Sequence, residues 1–128
     1  MAQYMLAVRH CEQAVSAEEF RRLCADVPAF NATLRDAGAY VFHGGLRGGA
    51  QAATVVRQSG ADFMISDGPY TETKEHLAGF WIINADHLDA ALEWAKLAAV
   101  AHRQAVEVCP FEDRNIDELL AASAAGEL

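Results

Sequence analysis

The chain has 128 residues, 52% hydrophobic and 22% charged, which fits one globular domain with its own core and excludes a disordered segment. Its net charge of −8 disfavours phosphate backbones. The basic residues Arg21, Arg22, Arg35, Arg47, Arg57, Lys74, Lys96, Arg103 and Arg114 form no stripe, and no apolar run approaches the roughly 18 residues of a membrane helix, so neither nucleic acid nor membrane is an expected partner.

Tyr4 to Arg9 reads as a first strand, with Tyr4, Leu6 and Val8 on one face and Met5 and Ala7 on the other. The segment lacks the basic leader of a signal peptide, which predicts a cytoplasmic protein. Ser16-Ala17-Glu18-Glu19 has the form of a capping box, and Leu23, Val27, Phe30 and Leu34 follow as a helical stripe. Pro28 interrupts that stripe and predicts either a kink or two short helices. Gly38 stands where a glycine ends a helix.

Residues 39–46 read as a second strand and 52–57 as a third, joined by the Gly44 to Gly49 segment as a hairpin turn. That glycine loop leads to a strand, so no helix N-terminus is offered to a phosphate. Phe63-Met64-Ile65 is an apolar run that suits a hairpin partner for the third strand. Residues 66–77 read as a loop, and Gly79-Phe80-Trp81-Ile82-Ile83 as the strongest strand. Asp86 is the expected cap of a helix with an apolar stripe of Leu88, Ala91, Leu92, Ala95 and Ala99; His87 is expected in its solvated first turn and Trp94 as a packing residue. Residues 105–109 form a last strand before Pro110, and 115–120 a short tail helix, beyond which the end frays.

This order predicts an α+β domain: a ferredoxin-like split βαβ arrangement with an antiparallel sheet, spanning residues 1–113, followed by the tail 114–128. Both parities of the best strand are apolar, while two helices cover one sheet face. The other face then needs a second copy, which predicts a homodimer with sheets packed face to face. Cys11, Cys24 and Cys109 contain no C-x-x-C pair and read as reduced thiols in or near the core. No cofactor motif and no metal-ligand spacing occurs, so neither cofactor nor metal is expected.

The segment Ser66-Asp67-Gly68-Pro69-Tyr70-Thr71-Glu72-Thr73-Lys74-Glu75 joins turn chemistry to a dense set of donors, acceptors and both charge signs. It resembles the signature of the YCII-related, DGPF-domain family, which reads approximately D-G-P-F-x-E-T-K-E, with Tyr70 in place of Phe. The resemblance extends to Leu77-Ala78-Gly79-Phe80, to the helix that begins near Asp86 and to Val106-Glu107-Val108. It implies a ferredoxin-like fold, a dimeric α+β barrel, and in some branches an association with extracytoplasmic-function sigma factors. Relatives in the wider group resemble small-molecule enzymes that use a His–Asp pair. Residues 17–37 hold no His and residues 97–104 hold neither Asp nor Pro, so that pair does not carry over. Cys109-Pro110 stands where the DGPF branch often has Arg-Pro.

Two functional readings stay open. One is a small polar ligand held near this segment by Asp67, Gly68, Pro69, Tyr70, Thr73, His43 and His76. In its catalytic form Glu72 or Glu75 is the acid–base group and Lys74 an electrostatic stabiliser. His43 enters because it leads from a strand into the Gly44-Gly45 turn, where it can line a cavity. The other reading is a turn and ion-pair clasp in a non-catalytic accessory or regulatory dimer, with Asp67 serving the local turn.

Overall fold

The computed structural model describes residues 2–11, 16–47, 52–68 and 75–127. In chain order the elements are β1 (Ala2–Cys11), α1 (Ala17–Asp36), β2 (Tyr40–Gly45), β3 (Thr54–Ser59), β4 (Asp62–Asp67), β5 (Glu75–Ala85), α2 (Leu88–His102), β6 (Val106–Pro110) and α3 (Ile116–Ala124). Four strands make one sheet in the order β2-β5-β1-β6, and every neighbouring pair is antiparallel. The fold is therefore α+β, and β1-α1-β2 and β5-α2-β6 each straddle a strand of the other unit.

Side-chain alternation divides the sheet into two faces. Tyr4, Leu6 and Val8 of β1 lie across from Ile83, Trp81 and Gly79 of β5, and these residues meet the helices. Phe30 and Leu34 of α1 and Ala91, Ala95 and Ala98 of α2 complete the core. The bulk comes from Trp81, Leu6, Leu34 and Ile83, all fully buried, while α2 contributes methyl groups that let it sit close to the sheet.

The opposite face carries Met5 and Ala7 of β1, Phe80 and Ile82 of β5, and Phe42 of β2. Phe42 and Phe80 have ring centroids 5.8 Å apart, and Phe42 is 49% exposed. No helix packs on this apolar face among the described residues.

Several elements differ in detail from their sequence expectations. Pro28 lies inside one continuous helix, not between two short ones. The loss of one donor just past the middle of a 20-residue helix is outweighed by the burial of Phe30 and Leu34 beyond it. Cys24 is exposed, because it follows Leu23 and so falls off the stripe that packs inward. The Gly44 to Gly49 segment does not close a hairpin: β2 pairs with β5, and β3 pairs with β4 in a separate two-stranded sheet. The register Val56↔Ile65 confirms the Phe63-Met64-Ile65 run as the partner of β3.

The cap of α2 is His87, whose Nδ1 accepts from the Ala90 N–H at 3.2 Å, not Asp86. The buried face of α2 is Ala91, Ala95, Ala98 and Ala101, with Leu88 and Leu92 exposed. The expected stripe followed the leucines, whereas the sheet already supplies the bulk and selects small partners. The tail helix continues to Ala124, six residues beyond its capped first turn at Asn115–Glu118, and so covers part of the stretch expected to fray.

The ends of α1 follow the expected chemistry. Ser16 Oγ accepts from the Glu19 N–H at 3.1 Å. Gly38 has φ +72° and donates to the Arg35 carbonyl at 3.0 Å, while Ala39 N–H returns to the Leu34 carbonyl at 2.9 Å. Ser16→Ala removes the acceptor for an otherwise orphaned donor. It is expected to cost about 1 kcal/mol, read as a lower urea midpoint with an unchanged slope.

Candidate functional site at one end of the sheet

The C-terminal ends of β1 and β2 and the N-terminal end of β5 lie together. Cys11 pairs with Glu75, Gly45 pairs with Gly79, and the Leu46 N–H donates to the Ala78 carbonyl at 2.7 Å. The junction between α2 and β6 joins them, since the Arg9 N–H donates to the Ala105 carbonyl at 3.2 Å. The first turns of α1, which follows β1, border the same end.

Four side chains from four elements form a connected group nearer the middle of the sheet, where Trp81 lies across from Leu6. Trp81 of β5 donates from Nε1 to Asn31 Oδ1 on α1 at 2.6 Å. Asn31 Nδ2 lies 3.2 Å from His43 Nδ1 on β2. The His43 ring stacks on Trp81 with centroids 4.5 Å apart and planes 19° apart. His102, at the end of α2, meets Trp81 edge-on at 6.2 Å. The register of β2 against β5 explains the stack, because His43 and Trp81 are direct cross-strand neighbours on the helix-facing side.

Burial holds the His43 imidazole below its ordinary value of 6.5, and the positive charges of His102 and Arg35 push in the same direction. The unfolded chain takes up this proton first, so the His43 contribution is present above pH 6.5 and is lost as pH falls towards the lower folded value. Urea midpoints measured from about pH 7.5 down to about pH 5 should fall, and His43→Gln should flatten part of that acid limb.

A cavity of about 140 Å³ adjoins His102, lined also by Glu19, Leu23, Arg103 and Gln104. Arg103 ends α2 in the left-handed region at φ 58° and reaches Asp26 of α1 at 3.4 Å, which ties the two helices at the cavity wall. Both partners are substantially exposed, so this pair orients the guanidinium more than it stabilises the fold. Glu19 adds the opposite charge from the first turn of α1.

The residues singled out in the sequence fall in different places. His43 is half-buried and central to the group described above. His76 is half-buried on β5, across from His10. Glu75 opens β5, and its side chain lies outside the described residues. Pro69, Tyr70, Glu72, Thr73 and Lys74 also lie outside the described residues. Asp67 ends β4 across from Thr54 and is exposed. Gly68 has φ +97° and donates to the Ala53 carbonyl at 2.8 Å, in keeping with a turn role.

Asn31, Trp81 and His102 were not singled out as functional in the sequence. The readable signal for Asn31 is its position four residues after Val27 and three before Leu34, a polar residue on the buried stripe of α1. An amide there needs internal partners. Among the described residues no cluster of His, Cys, Asp and Glu could hold a metal ion. No helix in the described residues is long and apolar enough to cross a membrane. Cys109 lies 3.6 Å from Glu107 Oε1, and burial followed by that carboxylate raises its thiol pKa, which makes it a poor nucleophile.

Over 45 residues the chain is 44% identical to a protein of Rhizobium meliloti (strain 1021) named Uncharacterized protein R00369. The match takes in 35% of this chain and 36% of that relative's length. The family model described as "YCII-related domain" matches residues 2–113, nearly the whole of the sheet and its two packed helices, and the chain belongs to that family.

Proposed function

We propose that this protein is a ferredoxin-like unit that dimerises through its open sheet face into an α+β barrel and holds a small polar ligand near His43. The observation that carries the ligand reading is the imidazole of His43, held by Asn31 and stacked on Trp81 in a half-buried position. A side chain fixed from two directions is more ordered than packing alone requires, and such order suits recognition. In a catalytic form of this reading Glu72 or Glu75 of the signature segment would be the acid–base group and Lys74 the electrostatic stabiliser, with Asp67, Gly68, Pro69, Tyr70, Thr73 and His76 as further candidate ligand-binding residues.

The test is a thermal-shift screen of small polar metabolites against the native protein and His43→Ala. The reading expects compounds that raise the melting midpoint of the native protein and lose most of that effect in the variant. Compounds that stabilise both proteins equally would remove His43 from the site, and a screen without any stabilising compound would count against the ligand reading itself.

The dimer reading rests on Met5, Phe42, Phe80 and Ile82, an apolar patch on the face that no helix covers. Phe42→Glu changes a half-exposed edge position, so the monomer fold should tolerate it. Sedimentation velocity should give twice the chain mass of 13.8 kDa for the native protein and the single-chain mass for Phe42→Glu. Equal masses for the two proteins would reject this face as the interface.

A non-catalytic docking role is favoured by a separate observation. Val56, Phe63 and Ile65 share one face of the β3–β4 hairpin and are 62%, 67% and 68% exposed. A lone two-stranded hairpin has little stability in water, so such a face suits a protein partner. The sigma-factor association implied by the resemblance belongs to this reading.

A further inference from the structure

We infer that His43 is a fixed hydrogen-bond donor and not a base, and that the ligand it recognises presents an oxygen acceptor, a small carboxylate. The inference rests on the ligand reading above and adds the chemistry of what is bound.

Trp81 fixes the orientation of the Asn31 amide. An indole N–H can only donate. Its partner at 2.6 Å is therefore the carbonyl oxygen of the Asn31 amide, and this settles which way the amide points. The NH₂ group then faces His43 at 3.2 Å. An amide NH₂ also can only donate, so His43 Nδ1 must be the acceptor and carries no proton. The neutral ring consequently holds its proton on Nε2.

That assignment limits the chemistry. The Nδ1 lone pair is engaged by Asn31, and Nε2 bears hydrogen. No lone pair of His43 is left to take a proton from a ligand. Nε2–H makes no hydrogen bond among the described residues, and it is the one polar atom of the ring left to offer. A ligand that meets it must bring an acceptor.

The surrounding charges select the kind of acceptor. Arg35 of α1 acts on His43 as a positive group. Arg35 is held over the Tyr40 ring at 4.2 Å, which orients it near β2. Arg103 follows His102 at the end of α2 and lines the cavity beside it. Asp26 and Glu19 are the acidic groups on α1 near that wall, and Asp26 is already shared with Arg103. A donor fixed on β2, with cations on α1 and α2, fits an anionic oxygen better than a neutral one. Asn31 is then a positioning residue: it acts on the ligand only through His43.

The test reads the ring nitrogens of His43 by ¹⁵N NMR on the full chain, at a pH about one unit above the ordinary imidazole value of 6.5. The native protein should show the proton on Nε2 and a bare Nδ1. Sodium acetate, as the minimal carboxylate, should shift the Nε2 signal saturably, and methylammonium at matched ionic strength should not. Asn31→Asp places a carboxylate beside Nδ1, which should draw the proton there and leave a lone pair facing the ligand. Acetate affinity should fall by about tenfold or more. Asn31→Leu removes the hold without adding charge and should give a mixture of tautomers with a smaller loss. Circular dichroism establishes that both variants are folded.

A native His43 with its proton on Nδ1 overturns the inference, and the ligand reading survives if compounds from the screen still depend on His43. Acetate that leaves the His43 ring unmoved while the Nε2–H form is present overturns the carboxylate assignment. The absence of every His43-dependent ligand, with the tautomer as inferred, instead counts against the ligand reading.

Discussion

Trp81→Ala is expected to cost roughly 3–5 kcal/mol, enough to lower the melting midpoint of a domain of this size by about 10–20 °C. Trp81 is fully buried and is the largest such side chain in the core. Its ring meets Phe30 edge-on at 5.2 Å, His43 face-on at 4.5 Å and His102 edge-on at 6.2 Å, so truncation withdraws a wall from three rings together. The hydrogen bond to Asn31 adds a separate loss, because the Asn31 carbonyl is half-buried and has no second donor among the described residues. Trp81→Phe separates the two effects. Phenylalanine keeps most of the volume and removes the donor, so its cost should be about 1–3 kcal/mol. The Phe variant should also free the Asn31 amide to turn and so blur the tautomer of His43. Thermal denaturation and the ¹⁵N spectrum of His43 check these two statements together. A Phe variant as damaging as the Ala variant would mean that the indole N–H, not the ring volume, dominates at this position.

The contrast between what was legible in the sequence and what was not has a physical basis. Local chemistry was readable. Ser16 caps α1, Gly38 closes it in a left-handed turn, and the apolar β5 run is a central strand, because each depends on residues within a few positions of one another. The alternation of Tyr4, Leu6 and Val8 against Met5 and Ala7 correctly divided β1 between two faces. Pairing between distant segments was not readable to the same degree. The glycine-rich segment after β2 looks like a hairpin turn, yet β2 joins β5 and β3 joins β4. Nothing within residues 44–49 distinguishes a turn between paired strands from a link between two sheets. The same limit applies to the site. His43 could be noticed for its place before two glycines, but its partners stand 12 residues before it, 38 after it and 59 after it in the chain: Asn31, Trp81 and His102. Only the register that sets His43 against Trp81 brings them together. Cap choice at α2 also depended on geometry. Asp86 and His87 are both able to accept, and the backbone enters the helix one residue later than the aspartate would require.

Gly79→Ala tests whether that register is sterically fixed. The glycine is buried on β5, between Val8 of β1 and Gly45 of β2. A methyl group built there would lie 2.7 Å from the Gly44 carbonyl oxygen and 3.1 Å from the Gly45 Cα. Both are backbone atoms, so no side chain can rotate out of the way. The strand β2 would have to move off β5 or slide along it. Over-packing of this kind commonly costs about 1–3 kcal/mol, and contact with backbone places this site at the upper end. The displacement would not stay local. His43 immediately precedes Gly44, and its stack on Trp81 and its bond to Asn31 both depend on where β2 sits. The variant should therefore lose stability in urea and, in the fraction still folded, show an altered His43 tautomer pattern. Ala78→Gly makes a useful comparison, because it changes the neighbouring residue of the same strand without adding an atom. If Gly79→Ala proved as stable as the native protein and kept the His43 Nε2–H signal, the close approach of β2 to β5 would not be what fixes the imidazole.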